Sequence, residues 1–134
     1  MTPVLRCSVG TKFDQIAPGG FRILAALDAA CQAIEHDLTI TAGTNDHEQG
    51  RHPLGEAYDV RTRDLTSAQI LRLLRILTST LGPAFTVLYE RPTPEPDAAL
   101  AAVAFINPHA SGPHLHVQVK KGTWYPPQPT GVPV

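Results

Sequence analysis

The segment His114-Leu-His-Val-Gln-Val-Lys120 alternates polar and apolar residues along its length. Such alternation predicts a β-strand with one buried face, because successive side chains of a strand point to opposite sides of the sheet. The aliphatic side chains would face the core. His114 and His116 would then face away from it, about 7 Å apart along the strand. The segment therefore predicts a sheet whose chemistry lies on the face opposite its core.

A second segment carries the same kind of residues. The run Ala57-Tyr-Asp-Val-Arg61 is a strand candidate, and His52 lies on the approach to it. Asp59 is unfavourable inside a strand by propensity, and a bound cation would explain its presence. Gly55 would be needed for a turn with positive φ or a close backbone approach that brings His52 near Asp59. Two imidazoles and a carboxylate form the ligand set of Zn²⁺ sites that keep one coordination position open.

Periodicity predicts the remaining elements. Apolar residues at helical spacing favour helices over 21–36 and 66–81, and Thr66 with Gln69 fits a capping box at the start of the second. Short β-like runs lie at 38–41, 85–90 and 103–106. Two helices among several short strands predict an α+β domain with a small, mostly antiparallel sheet flanked by helices.

Composition limits the class of protein. A chain of 134 residues with 43% apolar and 17% charged residues predicts a single folded domain over 1–134, ending in a proline-rich tail at 124–134. A net charge of -1 gives no electrostatic reason to expect nucleic acid as a partner. No apolar run reaches the roughly 18 residues of a membrane span. The N-terminus has no signal-peptide pattern, which predicts synthesis in the cytoplasm.

The two histidine segments together resemble the zinc site of the M15 peptidases. The pattern His52-x-x-Gly55-x-Ala57-x-Asp59, followed by His-x-His, is shared with D-alanyl-D-alanine carboxypeptidases and dipeptidases, murein endopeptidases and phage endolysins. The Hedgehog signalling domain has the same fold. The resemblance spans 41–120 and implies that His52, Asp59 and His116 bind one Zn²⁺ per chain. It also implies hydrolysis of peptide bonds in peptidoglycan stem or cross-link peptides.

The chain departs from the family pattern in several places. Gly50 stands where many members have serine, and Pro113 stands where many have the glutamate that acts as general base. Some endopeptidases of the group have a histidine two residues before the last ligand, and His114 occupies that position. The strand region 38–44 lacks the arginine with which carboxypeptidase members grip the substrate carboxylate. These departures favour an endopeptidase over a D-Ala-D-Ala carboxypeptidase.

The general base has three candidates. His114 is the first, since it shares a strand face with His116, and a neutral imidazole is suitably basic near neutral pH. His109, in the preceding loop, is the second candidate, and Glu90 is the third. Arg51 is a candidate for binding a substrate carboxylate or the developing oxyanion, and Arg61 could serve from another position.

Two other interpretations of the chain stay open beside the enzyme. One is a non-catalytic module in which zinc stabilises a binding surface, and the other is a phage structural protein with a degenerate peptidase domain. A phage origin would also explain how a chain without a signal peptide reaches the cell wall. The scissile bond and the oligomeric state stay open at this point.

Overall fold

The structure, a computed structural model, describes residues 2–44 and 51–120. The predicted proline-rich tail and Gly50 lie outside these ranges. The described residues form six strands and three helices, numbered here along the chain. They are β1 Leu5–Cys7, α1 Pro18–Ile34, β2 Leu38–Ala42, β3 Ala57–Arg61, α2 Ser67–Leu81, β4 Phe85–Arg91, α3 Ala98–Ala101, β5 Ala104–Ile106 and β6 His114–Val119.

The strands form one mixed sheet in the order β1-β2-β3-β6-β4-β5. The three central pairings are antiparallel, whereas β1 with β2 and β4 with β5 are parallel. A parallel neighbour needs a crossover connection, and helices α1 and α3 lie in these two connections. The α+β class is confirmed, and the mostly antiparallel prediction is correct for the centre of the sheet but not for its edges.

Strand β6 is an interior strand of the sheet. Its apolar and polar side chains alternate between the two faces of the sheet. Leu115, Val117 and Val119 are fully buried, as predicted. Helices α1 and α2 pack against each other and over this apolar face, with α1 contacting β6 and α2 contacting β4. The polar residues of β6 therefore lie on the face that these two helices leave open.

The two long helices match their predictions to different degrees. Thr66 and Gln69 form the predicted capping box at the start of α2. Helix α1 begins at Pro18 rather than at residue 21, because proline is well suited to the first helical position. Phe21, the first apolar residue of the predicted helical spacing, is 59% exposed, whereas Ile23 is buried.

The first turn of α1 packs against the turn that precedes β3. The carbonyl oxygen of Gly55 accepts hydrogen bonds from the Ala17 amide at 3.3 Å and from the Tyr58 hydroxyl at 3.2 Å. A Cβ atom at Gly20 would overlap that same oxygen. Gly55 itself has φ 72°, and a Cβ there would overlap the Gln15 backbone. The predicted need for glycine at Gly55 is confirmed on both counts, and the contact fixes the turn between His52 and Asp59.

We expect Gly20→Ala to destabilise the protein, although alanine is the better helix former. The propensity gain of about 0.5–1 kcal/mol would be outweighed by overlap with the Gly55 carbonyl, for a net loss of about 1–3 kcal/mol. Urea unfolding measures the difference. Gly112→Ala is the control, since nothing lies within 4 Å of the added Cβ. A Gly20→Ala protein as stable as the wild type would contradict this packing.

Within the part of the chain that the structure describes, no helix is both long enough and apolar enough to cross a membrane.

Candidate metal centre

Side chains from the pre-β3 turn, β3 and β6 converge on one carboxylate. Asp59 and His116 are direct partners in the antiparallel β3–β6 ladder. His116 Nδ1 lies 2.8 Å from Asp59 Oδ1, and His52 Nε2 lies 3.5 Å from the same oxygen. His52 and Asp59 are only 2% and 7% exposed. The structure thus brings together the three residues that the resemblance identified as metal ligands.

Each imidazole is oriented by a hydrogen bond between a carbonyl oxygen and the ring nitrogen remote from Asp59. His52 Nδ1 donates to the Gly43 carbonyl oxygen at 3.0 Å, and His116 Nε2 donates to Gln118 Oε1 at 2.7 Å. When the rings are neutral, as metal ligands must be, each of these bonds places the single ring proton on the nitrogen remote from Asp59. The nitrogen that faces Asp59 then carries the lone pair needed by a metal. Metal-binding histidines are commonly oriented by partners of this kind.

The three residues fit a divalent cation. One ligand atom from each of them lies within 4.8 Å of the other two, which is close enough for a shared ion. Burial favours a neutral Asp59, but hydrogen bonds from His116 and His52 outweigh it and hold the carboxyl pKa far below its usual range. Asp59 is therefore an anion. Two imidazoles and a carboxylate form a donor set that suits a divalent metal ion.

A second pair of titratable groups lies beside this site. Glu90 on β4 is the register partner of His114 on β6, and Glu90 Oε1 lies 2.9 Å from His114 Nε2. His114 Nδ1 donates to the Gly112 carbonyl oxygen at 3.0 Å, so Nε2 is the nitrogen that faces Glu90 and donates to it when protonated. Burial opposes protonation of His114, but the hydrogen bond to Glu90 and the charge of Asp59 raise its pKa to about 8. The same hydrogen bond from His114 lowers the pKa of Glu90.

Two overlapping groups in the described residues could hold a metal, and both include His116. The first adds His52 and Asp59, and the second adds Glu90 and His114. Burial distinguishes them, because His52 and Asp59 are buried whereas Glu90 and His114 are half-buried at the cavity wall. The first group suits a permanently held ion. The second suits groups that exchange protons with a substrate or water.

The centre opens into a cavity of about 630 Å³ on the sheet face away from the long helices. Asp59, Glu90 and His116 line its floor, and the loop 107–113 forms one wall. His109 belongs to that wall, but its ring has no hydrogen bond to any described residue. The structure therefore places His109 in the cavity without joining it to the His114–Glu90 pair.

The arginines are placed differently from one another. Arg51 Nη1 forms an ion pair with Glu56 Oε1 at 2.9 Å and does not line the cavity. Arg61 does line it, together with Arg63, which the sequence reasoning missed. Gln118 was also given no role, although strand alternation places it on the same face as His116.

Comparisons of the chain with protein-family models, with curated proteins and with solved structures find no match.

We expect Gln118→Leu to weaken metal binding, because it removes the oxygen that orients His116. Loss of such a partner typically lowers metal affinity about 10–100-fold, and competition with a chromophoric chelator during Zn²⁺ titration measures the change. Gln118→Glu keeps an oxygen acceptor and should retain most of the affinity. Equal affinities for the leucine variant and the wild type would show that the Gln118 hydrogen bond has no part in the site.

Proposed function

We propose that this protein is a zinc-dependent metallopeptidase of the M15 type that hydrolyses peptide bonds in peptidoglycan stem or cross-link peptides. The observation that carries the proposal is the convergence of His52, Asp59 and His116, with a proton-exchanging His114–Glu90 pair beside them in an open cavity. A metal site with an adjacent acid–base pair is an arrangement suited to metal-assisted hydrolysis.

The placement of the ligands supports the family reading. Asp59 and His116 come from adjacent antiparallel strands, His52 comes from the turn before the first of them, and both long helices lie on the other face. This arrangement agrees with the Hedgehog and D-Ala-D-Ala peptidase-like fold that the motif order suggests. The fold assignment is part of the proposal.

In this mechanism the three ligands would hold Zn²⁺, which supplies Lewis acidity that polarises a scissile carbonyl and makes water a stronger acid. The chain's own residues then handle the proton. Glu90 Oε1 and His114 Nε2 face each other across 2.9 Å, so the pair can hold one proton between two basic atoms. With His114 neutral and Glu90 ionised, the pair accepts a proton from water, holds it between these two atoms and returns it to the leaving amine.

Glu90 offers a spatial substitute for the missing family glutamate. The family position of that residue is Pro113 here, but the β4–β6 register brings Glu90 opposite His114. We therefore propose that the base is the His114–Glu90 pair rather than His114 alone. The cavity is open, which suits an endopeptidase acting within a longer peptide, such as a phage-encoded enzyme acting on the host wall.

A non-catalytic zinc module is the second candidate. The observation that favours it is the departure at Pro113, which removes the usual base from its usual place. The two candidates differ in one assay: incubation of the zinc-loaded protein with purified peptidoglycan, followed by mass spectrometry of released peptides. Release of new peptides supports the enzyme. Intact peptidoglycan, with zinc bound at one ion per chain, supports the module.

The ligand assignment makes a direct prediction. Purified protein should contain about one zinc per chain, and His116→Ala should lose it, because that histidine provides one of three protein ligands. Elemental analysis after dialysis measures the content. His36→Ala, at the far end of α1, is the matched control and should keep its zinc. Full occupancy in His116→Ala would remove His116 from the ligand set.

Variants of the proton-exchanging pair should separate binding from chemistry. His114→Ala and Glu90→Gln should each keep zinc, while their turnover falls about 10²–10⁴-fold, as is usual when a general acid–base group is lost. Since the two residues act as one unit, the double variant should be little slower than either single variant. Undiminished turnover in both single variants would exclude the pair as the base.

A further inference from the structure

A second cluster of metal-binding side chains lies beside the three proposed ligands. Glu90 Oε1 and His114 Nε2 are 2.9 Å apart, and His114 Nε2 is 3.7 Å from Asp59 Oδ1. The corresponding distances in the first site, from Asp59 Oδ1 to His116 and to His52, are 2.8 Å and 3.5 Å. Two ligands of one tetrahedral Zn²⁺ lie about 3.3 Å apart when each bond is about 2.0–2.2 Å long. The spacing of the second cluster therefore suits an ion as well as that of the first.

The imidazole of His114 is oriented in the same way as the proposed zinc ligands. Its Nδ1 atom donates to the Gly112 carbonyl oxygen at 3.0 Å, just as His52 Nδ1 donates to the Gly43 carbonyl oxygen. Such a bond fixes the ring of a metal-binding histidine, and here it leaves Nε2 to face Glu90. The side chains of His114 and Glu90 are 16% and 12% exposed, so an ion can reach them from the cavity that they line.

Asp59 connects the two clusters. Its Oδ1 atom lies 2.8 Å to 3.7 Å from ring nitrogens of His52, His114 and His116. A carboxylate in this position can bridge two cations, and paired metal ions in hydrolytic sites lie about 3.5–4 Å apart. His116 belongs to the first site, since one ring nitrogen faces Asp59 and the other is hydrogen-bonded elsewhere. The ligands left for a second ion are Glu90, His114 and the shared Asp59 carboxylate.

We propose that Glu90 and His114, bridged to the first site by Asp59, form a second cation site, and that Zn²⁺ bound there inhibits the protein. A metal ligand must be unprotonated, so the ion takes the place of the proton held between Glu90 and His114, and that proton passes to solvent. The pair can then no longer accept a proton from water. The inhibition rests on the proposed function, whereas the binding of the ion does not.

The second ion is held less tightly than the first. Its site shares Asp59 with the first site, and its other two ligands are half-buried rather than buried. It also lies close to another divalent cation, so electrostatic repulsion opposes its binding. We therefore expect one ion to survive dialysis and the second to bind only when zinc is in excess.

Titration with Zn²⁺ alone tests the site. Calorimetry of the metal-free protein should show two binding events of about one ion per chain each, the second weaker than the first. In Glu90→Gln and in His114→Ala the second event should disappear. The first event uses neither side chain, so its presence in both variants shows that they are folded.

Two control variants cover other places where zinc could bind. Cys7 and His36 line a separate recess beside β1, and His109 lies on the cavity wall. Cys7→Ser and His109→Ala should therefore keep both events. Loss of the second event in either control, its persistence in Glu90→Gln or His114→Ala, or a single event in the wild type would overturn the proposal.

Release of peptides from peptidoglycan at buffered free Zn²⁺ tests the inhibition. Turnover should rise as the first site fills and fall about 10²–10⁴-fold as the second fills, which is the loss expected when a general acid–base group is blocked. The fall should follow the affinity of the second calorimetric event, in the wild type and in Cys7→Ser alike. Turnover that stays at its maximum while two ions are bound would overturn the inhibitory role.

The outcome is separable from that of the proposed function. If the wild-type protein releases no peptides at any zinc concentration but the second event depends on Glu90 and His114, the peptidase and its inhibition are excluded and the cation site stands. If peptides are released and only one ion binds, the peptidase stands and the second site is excluded.

Discussion

The pairing of β3 with β6 is the constraint on which the rest of the structure depends. The ladder that sets Asp59 opposite His116 also sets Val60 opposite Leu115 in the core. Side chains of a strand alternate between faces, so a slip of one residue would turn the imidazoles toward the helices and the aliphatic residues toward the cavity. Burial of the apolar face therefore fixes the register, and the register fixes the geometry of the metal centre.

The third ligand depends on contacts outside that ladder. His52 lies in a turn that the start of α1 holds in place, where Gly20 leaves room for the Gly55 carbonyl. The Nδ1 atom of His52 is anchored by the Gly43 carbonyl, and Gly43 in turn lies against the backbone of Lys12. The segment before α1 thus packs against Gly43 and Gly55, and both of these glycines lie next to the position of His52. Stability and ligand geometry are coupled at this point.

The charged groups of the site differ in how deeply they are buried. A buried carboxylate flanked by neutral imidazoles is costly unless a cation or hydrogen bonds compensate it, and His52, Asp59 and His116 together offer the ligands for such a cation. Glu90 and His114 are closer to solvent and are hydrogen-bonded to each other. Arg61 and Arg63 line the same cavity. A candidate metal position, the His114–Glu90 pair and two arginines thus lie around one recess.

The sequence by itself determined those features that depend on local periodicity. Alternation in β6 predicted which residues face the core, helical spacing and a capping box predicted α2, and Gly55 was singled out for a turn that requires glycine. The apolar spacing of α1 did not predict that Phe21 is exposed, because Gly20 and Ile23 occupy the buried side of the first turns instead. The sequence did not predict the existence of β1 or the parallel direction of β5. A three-residue strand such as β1 carries almost no periodic signal.

Only the tertiary structure decided which distant residues meet. Sequence spacing says nothing about the order of strands, so the approach of Glu90 to His114 could not be derived from it, and Glu90 ranked last among the bases. The pairing of Arg51 with Glu56, and the position of Arg61 and Arg63 in the cavity wall, likewise follow from folded positions. Local chemistry identifies which residues can act. Long-range strand pairing decides which of them act together, because contact between distant parts of a chain depends on packing that no short segment contains.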